Sequence, residues 1–367
     1  MYDIIDNETK IRMKGIFIMK KLFALFMAFI MCFGLTACKT EEEYTNEVID
    51  AKPLVVVITD KGGIGDHSFN DEAMTALEEV AGDEDIDIRY LEANSKNDYS
   101  ENIQESLNED ATVTIAVGSN LKVSIEKAAK ENPDKFFGII DAKTDLPNVL
   151  SMTFADNQSG FLAGYAAAKS SETGSIGFIG GEKRDTVELY RAGFIAGAKA
   201  ADENIKVNTK YIDDFYSEAK GHDAAVRMFV KKDADVIMHV AGMSGTGVIK
   251  AAKENNFLAI GADKDQSHLA SDNVLCSAVK DMKPGLEEIV KQAIKGKYKT
   301  QYTQYTIEDN GVYLSDNAGN IKGELKDQIE KLSEAIKDGD LEVPTDVSEG
   351  LSFKLPEELQ KITQEEK

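Results

Sequence analysis

The sequence predicts an α/β protein made of two doubly wound parallel-sheet units in series. Three observations carry this. From residue 53 onward, short apolar and β-branched runs alternate with segments of helical spacing. The first run, PLVVVIT over 53–59, is apolar without alternation, as in a strand buried on both faces. The chain has 367 residues, 42% of them hydrophobic, which is too long for one small core and suits two domains of ordinary size.

Taken in order, strands are expected at 53–59, 86–91, 112–117 and 135–140, with helices at 70–80, 100–107 and 121–131 between them. Strict β-α alternation of this kind implies a parallel sheet. A second series follows, with strands at 149–154, 175–179, 206–212, 235–239 and 258–261. Its helices are 160–169, rich in small residues, then 186–201, 219–230 and 247–254. A strand at 274–279 leads to a helix from Pro284 to Lys295, with proline in the first turn where its missing N–H does no harm. Residues 301–323 read as a β-hairpin region with turns at Asp309-Asn310-Gly311 and Ala318-Gly319-Asn320. A last amphipathic helix covers 323–337, and the polar residues 339–367 are expected to trail over the surface.

The N-terminus has a different character. Met19-Lys20-Lys21 is a basic start, and Leu22 to Gly34 gives 13 mostly apolar, uncharged residues. That core is too short to span a bilayer but suits a signal peptide. Leu35-Thr36-Ala37-Cys38 follows and resembles a bacterial lipobox, so cleavage before Cys38 and lipid on its sulfur are expected. Residues 1–18 fit no signal-peptide plan, which puts the expected start at Met19. Residues 38–52 then form a lipidated, acidic, flexible tether.

The whole chain carries 42 basic and 65 acidic residues, net −23. Residues 1–37 hold five basic and three acidic side chains, so the remaining 330 residues carry −25. Such a body repels nucleic acid and anionic lipid, so no nucleic-acid partner is expected. Three cysteines, at 32, 38 and 276, exclude a disulfide scaffold, and Cys276 reads as a small buried strand residue. The four histidines (67, 222, 239 and 268) are scattered without metal-ligand spacing, so neither metal nor cofactor is expected.

Open parallel sheets bind ligands beyond the C-terminal ends of their strands, so the residues just after each strand are the candidates. Three acids stand there: Asp60, Asp141 and Asp263. Lys280 stands at a fourth tip. The loop after the first strand, KGGIGDHSFN over 61–70, has turn glycines, Asp66 or Ser68 to cap the next helix, and Phe69 at the helix start. It lacks the spacing of a phosphate cradle and carries acids where phosphate needs donors. Gly118-Ser119-Asn120 follows another strand, and Gly242 belongs to a glycine-rich turn, AGMSGTG over 241–247, that admits backbone close to a ligand. Ionised carboxylates accept hydrogen bonds, suit sugar hydroxyls and repel phosphate. Aromatic faces suit a flat ring. The combination describes a nucleoside better than a nucleotide or a free sugar.

Several segments together resemble the basic-membrane-protein family of lipoproteins, the PnrA-like purine-nucleoside-binding proteins of ABC transporters. They are TDKGGIGDHSFND (59–71), PDKFFGIIDA (133–142), NVLSMTFADNQSGFLAGYAAA (148–168), GFIGG (177–181), YRAGFIAGAKA (190–200), AGMSGTG (241–247), AIGADKDQ (259–266), CSAVKD (276–281) and IKDGDLEVP (336–344). The resemblance implies a type I periplasmic-binding-protein fold with ligand held between two lobes joined by three crossovers. It divides the chain into a first lobe (53–152), a second lobe (153–265), crossover segments completing both (266–345) and a C-terminal tail (346–367). It implies a purine nucleoside ligand, an ABC permease partner and a lipid-anchored, extracytoplasmic protein. The implied ligand residues are Asp60, Phe69, Asn70, Asp141, Tyr190, Gly242, Asp263 and Lys280, with Phe69 and Tyr190 as the stacking rings. Phe194 is expected in the core. His67 stands where the family often has lysine.

Other functions are weighed against this one. Another flat ligand such as riboflavin, or a role as nucleoside sensor or surface antigen, uses the same fold. A nucleoside hydrolase needs a dense D-x-D-x-x-x-D cluster or a nucleophile elbow, and the sequence has neither, so no catalytic residue is assigned.

Overall fold

In the computed structural model, residues 52–299 and 301–362 are described. The signal peptide, lipidated Cys38 and tether expected from the sequence lie, up to residue 51, outside the described residues. The described residues form one compact unit.

Two six-stranded sheets make up that unit. The first has the order β11-β5-β4-β3-β1-β2, with every neighbouring pair parallel. Its strands are β1 (Leu54–Ile58), β2 (Asp87–Leu91), β3 (Val113–Val117), β4 (Phe137–Ile140), β5 (Val149–Phe154) and β11 (Tyr302–Tyr305). The second has the order β12-β10-β9-β8-β6-β7, parallel except for β12. It contains β6 (Ser175–Gly180), β7 (Lys206–Tyr211), β8 (Val236–Val240), β9 (Leu258–Asp263), β10 (Val274–Lys280) and β12 (Val312–Ser315).

Helices cover both faces of each sheet, as parallel sheets require. On the first sheet, α2 (Asp98–Asn108) and α3 (Lys122–Glu131) cover one face around Val56, Ile58, Ile103 and Ile125. The other face packs Val55, Val57, Leu77 and Ile289 under α1 (Phe69–Asp83) and α8 (Lys283–Ile294). On the second sheet, α6 (Glu218–Lys232) and α7 (Met243–Asn255) enclose Met228, Ile237 and Val248. Helices α4 (Asp156–Ser170) and α5 (Asp185–Ala201) pack together with their backbones nearly touching. A Cβ placed on Gly164 would lie 1.9 Å from the Phe194 carbonyl, which explains the small-residue composition of α4.

The chain passes between sheets three times: β5 through α4 to β6, β10 through α8 to β11, and β11 directly to β12. The last passage corrects the hairpin expected at 301–323. The turn at 309–311 exists, with the Gly311 N–H donating to the Thr306 carbonyl, but β11 pairs with β5 and β12 with β10. A turn signal marks where the chain bends and does not choose the sheet its flanks join. The polar C-terminus also departs from expectation. After α9 (Glu324–Lys337), the short α10 (Val347–Leu351) docks on α5, Leu355 is buried, and Phe353 meets Phe161 edge-on at 5.7 Å. Phe194 lies in the core against Phe178, and Cys276 is buried in β10, both as expected. No helix among the described residues is long and apolar enough to cross a membrane.

Candidate functional site

The C-terminal ends of the two sheets line a cavity of about 670 Å³, its mouth included. All eight residues expected from the sequence line it: Asp60, Phe69, Asn70, Asp141, Tyr190, Gly242, Asp263 and Lys280. The strand tips explain this. Asp141 and Asp263 follow directly on β4 and end β9, and both adopt left-handed backbone, φ 59° and 71°. Aspartate tolerates that conformation better than most residues.

One end of the cavity is buried and ionic. Lys280 is 1% exposed and its Nζ lies 2.6 Å from Asp141 Oδ2 and 3.4 Å from Asp156 Oδ1. The same Nζ lies 5.3 Å from the centre of the Phe69 ring and 5.5 Å from that of Tyr190. Burial pulls the Lys280 ammonium down, but the charges of Asp141, Asp156 and Asp263 outweigh it and leave the group raised and charged. Burial pushes the Asp156 carboxyl well above its ordinary range; the Lys280 charge opposes this and those of Asp141 and Asp263 add to it. Asp263 is likewise raised by burial. Its Oδ2 accepts a 2.7 Å bond from the Ser68 hydroxyl of the other lobe.

The other end is half-buried. Asp60 Oδ1 accepts from the Gly62 N–H at 2.9 Å and from Asn70 Nδ2 at 3.0 Å, and its Oδ2 accepts from the Tyr216 hydroxyl at 3.0 Å. Tyr216 belongs to the second lobe, so this bond also crosses the cleft. Arg184 lines the wall, with its guanidinium 4.9 Å from the centre of the Phe215 ring and its Nε donating to Glu182. Asp66 caps α1, accepting from the backbone N–H groups of Ser68, Asn70 and Asp71.

Tyr190 forms the buried floor, with no exposed surface and its hydroxyl donating 3.5 Å to the Ala278 carbonyl. Phe215 and Tyr216 are lining rings that the sequence reading did not single out. They follow β7 as IDDFY (212–216), and the strand-tip rule applied to that strand finds them. Asp156 also went unassigned, because an acid in the first turn of a helix ordinarily needs no further reason. Of the glycine-rich turn, Gly242 lines the cavity with φ 53°. Gly245 instead makes room for His239, whose ring a Cβ would meet at 2.0 Å. No metal-ligating cluster exists among the described residues.

Comparison with known proteins identifies the family of the chain. The family described as "ABC transporter substrate-binding protein PnrA-like" matches residues 53–346. The ABC transporter nucleoside-binding protein BmpA of Lactococcus lactis subsp. cremoris is 33% identical, over 85% of this chain and 95% of its own. Basic membrane protein A of Borreliella burgdorferi is 34% identical, over 80% and 88%. Among solved structures, an ABC transporter solute-binding protein from Aeropyrum pernix K1 superposes with a TM-score of 0.73 at 21% identity, covering 85% of this chain and 98% of that one. An arabinose-binding protein from Geobacillus stearothermophilus gives 0.57 at 14%, covering 74% and 100%, so the fold alone does not choose a ligand. The chain belongs to the PnrA-like family of ABC transporter substrate-binding proteins.

Proposed function

We propose that this protein captures a purine nucleoside between its lobes and delivers it to an ABC permease, anchored outside the cell membrane by lipid on Cys38. The carrying observation is the buried end of the cavity, where Lys280 and three carboxylates stand beside the Phe69 ring. Carboxylates that accept hydrogen bonds from hydroxyls, one ammonium that donates, and an adjacent π-face match a ribose joined to a flat base. The excess of negative charge disfavours a phosphate. The 33%-identical relative named as nucleoside-binding supports the same reading.

In this reading Asp141, Asp263 and Lys280 hold the ribose, Asp60 and Asn70 meet polar edges of the base, and Phe69 stacks on it. Tyr190, closed off from solvent, supports the floor. The half-buried Phe215 is better placed to supply the opposing ring. Calorimetry with inosine, guanosine and adenosine tests the proposal, and no binding tighter than millimolar refutes it. Within it, Asp263→Ala weakens ribonucleosides far more than free bases, whereas equal losses place Asp263 outside the ribose site. Phe69→Ala loses both by about 1–3 kcal/mol. A yellow purified protein favours riboflavin instead. Incorporation of labelled fatty acid that disappears in Cys38→Ala tests the anchor.

A further inference from the structure

Gln266 lies in the segment AIGADKDQ, does not line the cavity, and is fully buried. Its side-chain amide is fixed by three partners. Oε1 accepts from the Ala262 N–H at 3.0 Å and faces His239 Nε2 at 2.9 Å, while Nε2 donates 2.8 Å to the His67 carbonyl. A backbone N–H can only donate, so the atom facing Ala262 is the amide oxygen and the nitrogen faces His67. His239 therefore donates from Nε2 and is held in one tautomer. Burial keeps its imidazole neutral, pushed down to about 4 against the opposing pull of the Gln266 bond. The Gln266 backbone N–H donates to Ser277 Oγ at 3.1 Å. Ala262, His239 and Ser277 all belong to strands of the second sheet, so that lobe alone orients the amide.

His67 belongs to the other lobe. It is the second residue before Phe69, it has left-handed backbone at φ 52°, and its neighbour Ser68 donates to Asp263 at 2.7 Å. Residues 263 and 266 of one lobe thus grip residues 68 and 67 of the other. Those two residues lead directly into the helix whose first side chain is the cavity ring.

We propose that Gln266 is a positioning residue for ligand retention: a preoriented latch that fastens the 66–69 loop to β9 when the lobes close, sets the Phe69 ring, and slows release. It touches no ligand and acts through His67. The inference rests on the reading of a cleft that closes on a ligand and is independent of that ligand's identity.

Gln266→Met removes the cross-lobe donor at similar length. Gln266→Glu keeps both acceptor positions but sets an oxygen against the His67 carbonyl. Ser68→Ala removes the neighbouring grip and guards against misfolding of either Gln266 variant. Retention is read on the full-length protein by chase of radiolabelled inosine, alongside its association rate. One lost hydrogen bond predicts release about tenfold faster with association unchanged. A structural defect alone lowers the binding-competent fraction without this split. Release unchanged in both Gln266 variants overturns the latch. If inosine does not bind the wild type, the nucleoside reading fails separately, and small-angle scattering of the ligand-free proteins decides. A larger radius of gyration in Gln266→Met and Ser68→Ala than in the wild type supports the latch, and identical radii overturn it.

Discussion

The two ends of the cavity hold similar residue types under different conditions. At the inner end Lys280, Asp141 and Asp156 are nine-tenths buried or more, and their charges have little but each other. At the outer end the Tyr216 hydroxyl donates one hydrogen bond to Asp60, and both residues are partly exposed to solvent. In low dielectric, removing one member of a charged cluster leaves the rest uncompensated, whereas near solvent the loss is buffered. The inner end should therefore set both stability and affinity, and the outer end should tune affinity alone.

The largest effect that tests this contrast is Lys280→Met. Asp141 and Asp156 lose their only cation among the described residues within 4 Å, and Asp263 loses a nearby positive charge, so stability should fall by about 3–5 kcal/mol. A thermal melt should show a drop of about 10 °C together with loss of nucleoside binding. A melt like the wild type would mean that water reaches the inner end and the contrast is false.

The same cluster predicts a pH dependence. Asp156 is raised above its ordinary value of 3.8, mainly by burial, so the folded state holds its proton more tightly than the unfolded state. Its contribution to stability is thus complete below about that ordinary value and is lost as pH rises through the raised one. Asp156→Asn should flatten the fall in stability from acid toward neutral pH, measured by denaturant titration at several pH values. An unchanged slope would show that Asp156 ionises freely.

How much of this was legible in the sequence differs between the two ends for a physical reason. The acids of β1, β4 and β9 and the lysine of β10 sit where an apolar run stops, and parallel-sheet geometry sends every such tip to the same cleft. Position in sequence therefore carried position in space. Phe215 and Tyr216 follow β7, an edge strand whose residues are half-exposed, so its apolar pattern is weaker and its tip drew less notice. The cross-lobe grips were illegible. Nothing in a local pattern says that Ser68 meets Asp263, 195 positions away, because that pairing depends on how the sheets face each other. The hairpin failed for the same reason: β11 and β12 are neighbours in sequence but belong to different sheets.

The smallest predicted effect is at the outer end. Tyr216→Phe keeps the ring that lines the cavity and deletes only the hydroxyl that donates to Asp60. Burial, with the Asp60 charge next, raises the Tyr216 phenol, so at working pH it is a donor and never competes with the carboxylate as an anion. Asp60 keeps its bonds from Gly62 and Asn70 after the change and gains access to water. The net loss is one bond near solvent, about 0.5–1.5 kcal/mol, or no more than roughly tenfold in nucleoside affinity. The melting temperature of the ligand-free protein should scarcely move. A loss of affinity as large as that of Lys280→Met would show that the Tyr216–Asp60 bond holds the cleft shut as firmly as the buried cluster does, and the two ends would then be equivalent.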